Sequence, residues 1–339
     1  NGHQKDGDFY FGAAMGHYPV RSVIDAAFSL VRNGVEHSVY ASGKMPLDRS
    51  TAIGPIRIEV VEPIRTIRYV VEPNEHGIEC DLTFRATTVA VEEPRQRTTS
   101  PEGILTMDHT RLTQWGTWEG AISVDGDELR IDPREVPGTR DRSWGMRAVG
   151  QQLETNWGRR NPQAFWLWAP LHFADRFTHL ALHEYPDGTR WLETSLVLDP
   201  LPDGAAPWST AGVTECHDLR FELDFEPGRR EIRRADFWFE HPDEGEVHIE
   251  LEKVFTFRMR GIGYSHPYWG HGTSHGELET GRESIKLDDF DPLDWSSLHL
   301  QNLVIARIGD REGVGVLEQA HFGPHTPSGL TGFLDGFGS

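Results

Sequence analysis

Cysteine is almost absent: Cys80 and Cys216 are the only two in 339 residues. They lie far apart and form no Cys-x-x-Cys pair, which excludes a disulfide framework and the common thiolate metal and redox motifs. Neither has a Lys or Arg neighbour in sequence, and neither reads as a thiol nucleophile. Cations are also few, 33 Lys and Arg against 53 Asp and Glu, for a formal net charge of -20. That balance argues against a nucleic-acid or anionic-membrane surface, both of which recruit basic side chains. No segment approaches the ~20 apolar residues of a membrane helix, and the opening Asn1-Gly2-His3-Gln4-Lys5-Asp6 has no apolar run. A soluble, cytoplasmic protein is expected. The chain has no Walker-type loop and no dinucleotide fingerprint after a strand. Chemistry without a cofactor, or plain binding, is therefore expected. Helical periodicity is scarce too: residues 22–32 fit a strand or a short helix, and residues 105–118 have mixed spacing.

Short alternating strands fill the space these absences leave. Ile56-Arg57-Ile58-Glu59-Val60-Val61, Ile64-Arg65-Thr66-Ile67-Arg68-Tyr69 and Gly77-Ile78-Glu79-Cys80-Asp81-Leu82 are each closed by Pro, Gly or Asn. The same grammar returns at residues 165–169, 179–185, 190–198, 218–225 and 233–240. The fold class is all-β, antiparallel, built as barrels or sandwiches because closure removes exposed edges. Length suggests two domains. The polar residues 154–163 are the best junction, dividing the chain into 1–160 and 161–339. The Gly- and Pro-rich residues 323–339 read as a closing strand and a loose tail.

Three clusters carry candidate chemistry. Gly138-Thr139-Arg140-Asp141-Arg142-Ser143-Trp144-Gly145-Met146-Arg147 crowds arginines, a carboxylate and an indole between glycines, which is not the composition of an ordinary strand. It reads either as an ion-paired plug closing a barrel end or as a catalytic cluster, because a buried carboxylate must be paired or hydrogen-bonded. Tyr264-Ser265-His266-Pro267-Tyr268-Trp269-Gly270-His271-Gly272-Thr273-Ser274-His275-Gly276-Glu277 gathers histidines, aromatics and an acid. On a strand, His271, Thr273 and His275 would share one face and line a pocket. Metal binding there is the weaker reading, since no recognised spacing supplies a third ligand. In the third cluster, Val316-Leu317-Glu318-Gln319-Ala320-His321, alternation puts Glu318 on the face of Val316 as a candidate buried carboxylate. Eleven tryptophans, Trp115 and Trp118 around Gly116 among them, exceed what core filling needs and suit a large apolar ligand.

The Arg140-Asp141-Arg142-Ser143-Trp144-Gly145 block, the Trp115-Gly116-Thr117-Trp118-Glu119-Gly120 strand, the segment from Gly270 to Glu277 and Val316-Leu317-Glu318-Gln319 together resemble the lipocalin-like double-barrel group. That group contains carotenoid 1,2-hydratase (hydroxyneurosporene synthase), kievitone hydratase and AttH-type proteins. The N-terminal half looks closer to an uncharacterised bacterial branch of it. The resemblance implies two lipocalin-like (calycin) antiparallel β-barrels packed together and a pocket for an isoprenoid or similar apolar compound. It implies a cofactor-independent hydratase, dehydratase or cyclase, in which a neutral carboxylic acid protonates an alkene and water captures the cation. Asp141, His271 and His275 are the catalytic candidates. Trp115, Arg142, Trp144, Tyr268, Trp269 and Glu318 are the substrate-binding ones. A non-enzymatic carrier of a hydrophobic ligand and a pericyclase-like enzyme that folds a polyene are the alternatives. No metal or other cofactor is expected; a hydrophobic small molecule is the expected partner, and a second copy of the chain is the one protein partner allowed for.

Overall fold

The structure is a computed structural model that describes residues 1–48, 50–99, 103–147, 149, 163–202 and 204–337. The predicted junction at 154–163, with the boundary at 160/161, lies outside the described residues except for Gln163. The described residues form strands and short 3-10 turns, with no α-helix among them. In chain order the strands of the first half are β1 (Gly2–His3), β2 (Phe9–Tyr18), β3 (Val23–Arg32), β4 (Val35–Lys44), β5 (Ala52–Ile53), β6 (Ile56–Glu62) and β7 (Thr66–Val71), then β8 (Ile78–Ala86), β9 (Val91–Glu92), β10 (Gln96–Thr99), β11 (Leu105–Val124), β12 (Asp127–Ile131) and β13 (Pro137–Met146). The second half supplies β14 (Ala164–His172), β15 (Phe177–Glu184), β16 (Arg190–Leu198), β17 (Val213–Glu215), β18 (His217–Phe225), β19 (Ile232–His241), β20 (Gly245–Arg258), β21 (Leu278–Lys286), β22 (His299–Ile308) and β23 (Arg311–Phe322).

These strands make two antiparallel sheets, each curled into a nearly closed barrel. The first runs β21-β4-β3-β2-β1-β13-β11-β8-β7-β6-β5, with β9, β10 and β12 on β11; β5 touches β3 and β4, which brings its two ends together. The second runs β17-β16-β15-β14-β23-β22-β20-β19-β18, and β16 meets β18 across its gap. The all-β, two-barrel expectation therefore holds. β21 crosses over: although it comes from the second half, it pairs with β4 from Leu278↔Gly43 to Lys286↔Val35.

Period-two alternation explains both interiors. Phe28, Val39, Tyr69, Leu82, Phe84 and Trp118 fill the first barrel; Leu167, Leu182, Phe237, Ile249, Ala306 and Leu317 fill the second. The outer faces bond the barrels, Tyr10, Ala27 and Tyr40 of the first packing against Phe257, Met259 and Leu303 of the second. Residues 22–32 resolve as strand β3, and residues 105–118 belong to the 20-residue β11. On β11, Trp118 points into the first barrel against Phe11 and Phe84. Trp115, three residues earlier, points out against Phe177 and His179 of the second barrel.

Three local expectations are corrected. The block from Gly138, whose composition is not that of an ordinary strand, is nonetheless regular strand as far as Met146: it belongs to β13, paired along β11 from Asp108↔Met146 to Thr117↔Pro137. Residues 271–275 lie in turns and coil between a 3-10 turn, Met259–Ile262, and β21, so alternation along a strand does not apply there. The C-terminal stretch is tied down rather than loose, with Phe337 stacked on Phe225 and its carbonyl accepting from Gly228 N–H at 2.7 Å.

Candidate functional site

The densest set of ionisable groups lies where the outer face of β11–β13 meets the second barrel. A Cβ on Gly138 would stand 2.5 Å from Trp118 Nε1, so the even positions of β13 face the first barrel's interior. The odd positions face the second barrel. Asp141 is opposite Thr113 and Ser143 opposite Arg111 in the pairing, which places Asp141 on one surface with Arg111, Thr113 and Trp115. The guanidinium of Arg111 lies over the rings of Trp166 at 5.2 Å and Trp168 at 5.9 Å. Its ion partners are Asp141 at 3.5 Å and Glu93 at 3.9 Å. Flat indole faces suit a planar cation with few free hydrogen-bond acceptors around it.

Three carboxyl groups surround this arginine in different states. Glu93 is buried and accepts from Thr113 Oγ1 at 2.5 Å and Trp168 Nε1 at 2.9 Å, with His179 Nε2 at 3.1 Å. Burial pushes its pKa up, but His179, Arg111 and Thr113 outweigh that and hold it well below the usual carboxylate range. Glu318 is likewise buried and accepts from Gln301 Nε2 at 2.6 Å and Trp166 Nε1 at 3.2 Å, with His299 Nε2 at 2.8 Å. Its pKa too is held low against burial, by His299 and Arg111. Asp141 differs from both. Among the described residues it makes only the 3.5 Å ion pair, and its side chain keeps 46 % of its accessible area. Yet enough protein surrounds it that burial raises its pKa, assisted by the charges of Glu318 and Glu93 and opposed by Arg111 and Arg147. One carboxyl held towards its acid form beside two held as anions is an arrangement that assigns separate roles to chemically similar groups.

Neutral aromatics complete the surroundings. His183 packs at a tilt on Trp166 at 4.2 Å, and burial with the Arg111 charge lowers its pKa to about 3. The same two causes take His109 down to about 4. Tyr264 packs on His271 at 4.4 Å and on His299 at 4.6 Å, and is within electrostatic reach of Arg147 and Asp141. His271 Nε2 donates to the Ile262 carbonyl at 2.8 Å. Burial lowers the pKa of His271 despite the opposing charge of Asp25. Asp25 accepts from Gly272 N–H at 2.6 Å and Tyr18 hydroxyl at 3.3 Å. Asp25, Tyr40, Ser42, Trp269 and His271 line a small cavity with room for a single water.

The structure thus divides the predicted site residues. Asp141, Trp115 and Glu318 belong to the inter-barrel surface, with His271 connected to it through Tyr264. Arg142 and Trp144 lie on the opposite face of β13. Tyr268, Trp269 and His275 form another cluster over β21: Tyr268 hydroxyl donates to Glu279 at 2.7 Å, His275 pairs with Glu279 at 3.4 Å, and Trp269 stacks on Tyr40 at 5.4 Å. None of these contacts reaches Asp141. Among the described residues no group of three His, Cys, Asp or Glu side chains could hold a metal ion. Sequence reasoning missed Arg111, Glu93, His299 and Asp25. Arg111 was within reach of it, because alternation sets Arg111 on the face of Thr113 and Trp115; Glu93 and His299 are brought in by long-range pairing that no local pattern announces.

A double barrel with an ionised, aromatic-walled seam is the class of protein this geometry defines. The chain belongs to a family of unknown function, DUF8625, whose model matches residues 1–331. No curated protein matches its sequence. Among solved structures it is similar to an AttH-type protein from Nitrosomonas europaea, with TM-score 0.53 and 12 % identity over 94 % of this chain and 89 % of that one. It is also similar, at TM-score 0.48 and 12 % identity over 94 % and 86 %, to CghA. The first likeness shows the fold, that of the AttH-type double barrel; the second is too loose to carry argument. No helix among the described residues is long and apolar enough to cross a membrane.

Proposed function

We propose that the protein is a cofactor-independent, acid-catalysed lyase or cyclase of an apolar, isoprenoid-like small molecule, with Asp141 as the acid. The observation that carries this reading is the contrast between Asp141 and its neighbours: Glu93 and Glu318 are buried, hydrogen-bonded anions, whereas Asp141 is accessible, free of hydrogen bonds among the described residues and raised in pKa. A neutral carboxylic acid of this kind donates its proton to an alkene carbon. A C–H bond forms as the π bond breaks, leaving a tertiary cation and the Asp141 carboxylate. Capture by water, with the released proton returning to the Asp141 carboxylate, gives a hydrated product; loss of a neighbouring proton to that carboxylate gives an isomer; attack of a second π bond of the substrate on the cation, followed by the same proton loss, gives a ring. Arg111 steadies the carboxylate after transfer, and its position between Glu93 and Asp141 supports that role.

The carrier reading predicts few titratable groups facing the ligand, and the ionised seam speaks against it. Native mass spectrometry of the purified protein, followed by organic extraction, identifies what co-purifies and supplies the compound for assay. Asp141→Asn is expected to lower turnover of that compound by about 100-fold or more while leaving it bound, since the amide keeps the shape and removes the proton. Full activity in Asp141→Asn overturns the role of Asp141; a bound compound that the wild-type protein never converts establishes the carrier.

A further inference from the structure

The even face of β13 carries a second feature, separate from the Asp141 surface because it points the other way. Gly138, Arg140, Arg142 and Trp144 line up along the inner wall of the first barrel, starting from Trp118 at its packed centre. In a chain with 53 acidic residues, neither Arg140 nor Arg142 has a carboxylate within ion-pair distance among the described residues. Arg140 lies over the Phe84 ring at 5.8 Å, and its Nε is buried with no hydrogen-bond partner. Directly opposite on β11, Gln114 has a buried, unpartnered Oε1. A buried donor left unpaired is costly, and a cation beside another cation more so. The charge of Arg142, after burial, depresses the pKa of Arg140.

The barrel wall beside these arginines is apolar and graded from open to closed. Val60, Ile67, Phe84 and Trp118 sit side by side on β6, β7, β8 and β11. Val60 is 61 % exposed, Ile67 half-buried, and Phe84 and Trp118 buried. Trp144, 48 % exposed, stands on the rim above Arg142. We propose that this end of the first barrel is a binding site for an aliphatic carboxylate, its hydrocarbon chain on Val60 and Ile67 and its carboxylate on Arg140 and Arg142. Arginine's planar fork accepts a carboxylate in two parallel hydrogen bonds, and the anion supplies the partner that Arg140 Nε lacks.

Isothermal titration of the purified protein with decanoate and, separately, with decan-1-ol tests this without any knowledge of the catalytic substrate. Decanoate is expected to bind saturably at one site, at least about tenfold more tightly than the alcohol of the same length. Arg142→Gln, an exposed position whose loss leaves the core intact, is expected to weaken decanoate at least about tenfold and leave decan-1-ol unchanged; Arg140→Gln acts in the same direction. Absence of decanoate binding, equal affinity for acid and alcohol, or wild-type decanoate affinity in Arg142→Gln overturns the proposal.

Discussion

At the scale of single residues, the proposed chemistry rests on which carboxyl holds a proton. Asp141 has a folded-state pKa above its ordinary value, so the acid form persists to higher pH than in a free aspartate and is lost as pH rises through the raised pKa. Turnover that depends on it is expected to show a descending limb on the alkaline side of that pKa. The neighbours set the limb's position with opposite signs. Removing a negative neighbour by Glu318→Gln lowers the pKa of Asp141 and moves the limb to lower pH; removing the cation by Arg111→Gln raises it and moves the limb to higher pH. Rate profiles of the three proteins on the co-purifying compound check both signs, and shifts in the same direction would remove Asp141 as the titrating acid. Asp141 itself was legible in sequence as a carboxylate in a crowded, aromatic block. Its effective partner was not, because Arg140 and Arg142 are nearest in sequence while Arg111, thirty residues away, is nearest on its face of the sheet.

Among elements, legibility followed the contrast between the two faces of a strand. β8, β18 and β19 bury one face more deeply than the other, so their alternation was readable. β13 was not, since both its faces are polar: one looks onto the inter-barrel surface and the other onto the first barrel's open end. The exchange of β21 onto β4 was invisible for another reason, being a pairing between residues more than two hundred positions apart. What holds that exchange in place is the 3-10 turn Met259–Ile262, which rests on β3 and β4. Glu36 Oε2 there accepts from Arg258 N–H at 3.1 Å, and Ser29 and Ser38 bond at 2.8 Å beside it. A Cβ on Gly261 would lie 2.2 Å from Glu36 Oε1 and 2.6 Å from Ser29 Oγ. Gly261→Ala is therefore expected to destabilise the fold by about 1–3 kcal/mol, the usual range for forcing an atom into a packed site. Equilibrium denaturant unfolding measures it, and a loss under a few tenths of a kcal/mol would show that the turn does not pin the barrels.

For the molecule as a whole, the shared core of Tyr10, Phe257 and their neighbours makes the two barrels one cooperative body, and its buried histidines make that body sensitive to acid. Burial lowers the pKa values of His172, His183 and His321 to about 3, with the Arg111 charge adding at His183 and the His325 and Arg230 charges at His321. The unfolded chain protonates these rings near 6.5, so between about 6.5 and about 3 it binds more protons than the folded one, and stability falls as pH drops through that window. Glu318 extends the loss: depressed to about 2 from 4.5, it contributes stability that is present above 4.5 and disappears as pH falls towards 2. Glu36 works the other way. Burial raises it to about 8, so its contribution is complete below 4.5 and is lost as pH rises towards 8. Depressed histidines, His109 and His271 among them, outnumber raised carboxyls such as Glu36 and Asp141, so the melting temperature is expected to decline in a single transition as pH is lowered from about 6.5. His172 has a direct test because its Nε2 is buried and unpartnered and its ring packs edge-on against Phe177. His172→Phe keeps the ring and removes one titrating group, which lessens the slope of stability against pH by up to about 1.4 kcal/mol per pH unit within the window. Scanning calorimetry of both proteins from pH 7 to pH 4 reads this directly: parallel curves would mean that His172 is already protonated in the folded protein, and two separated transitions would mean that the barrels melt independently.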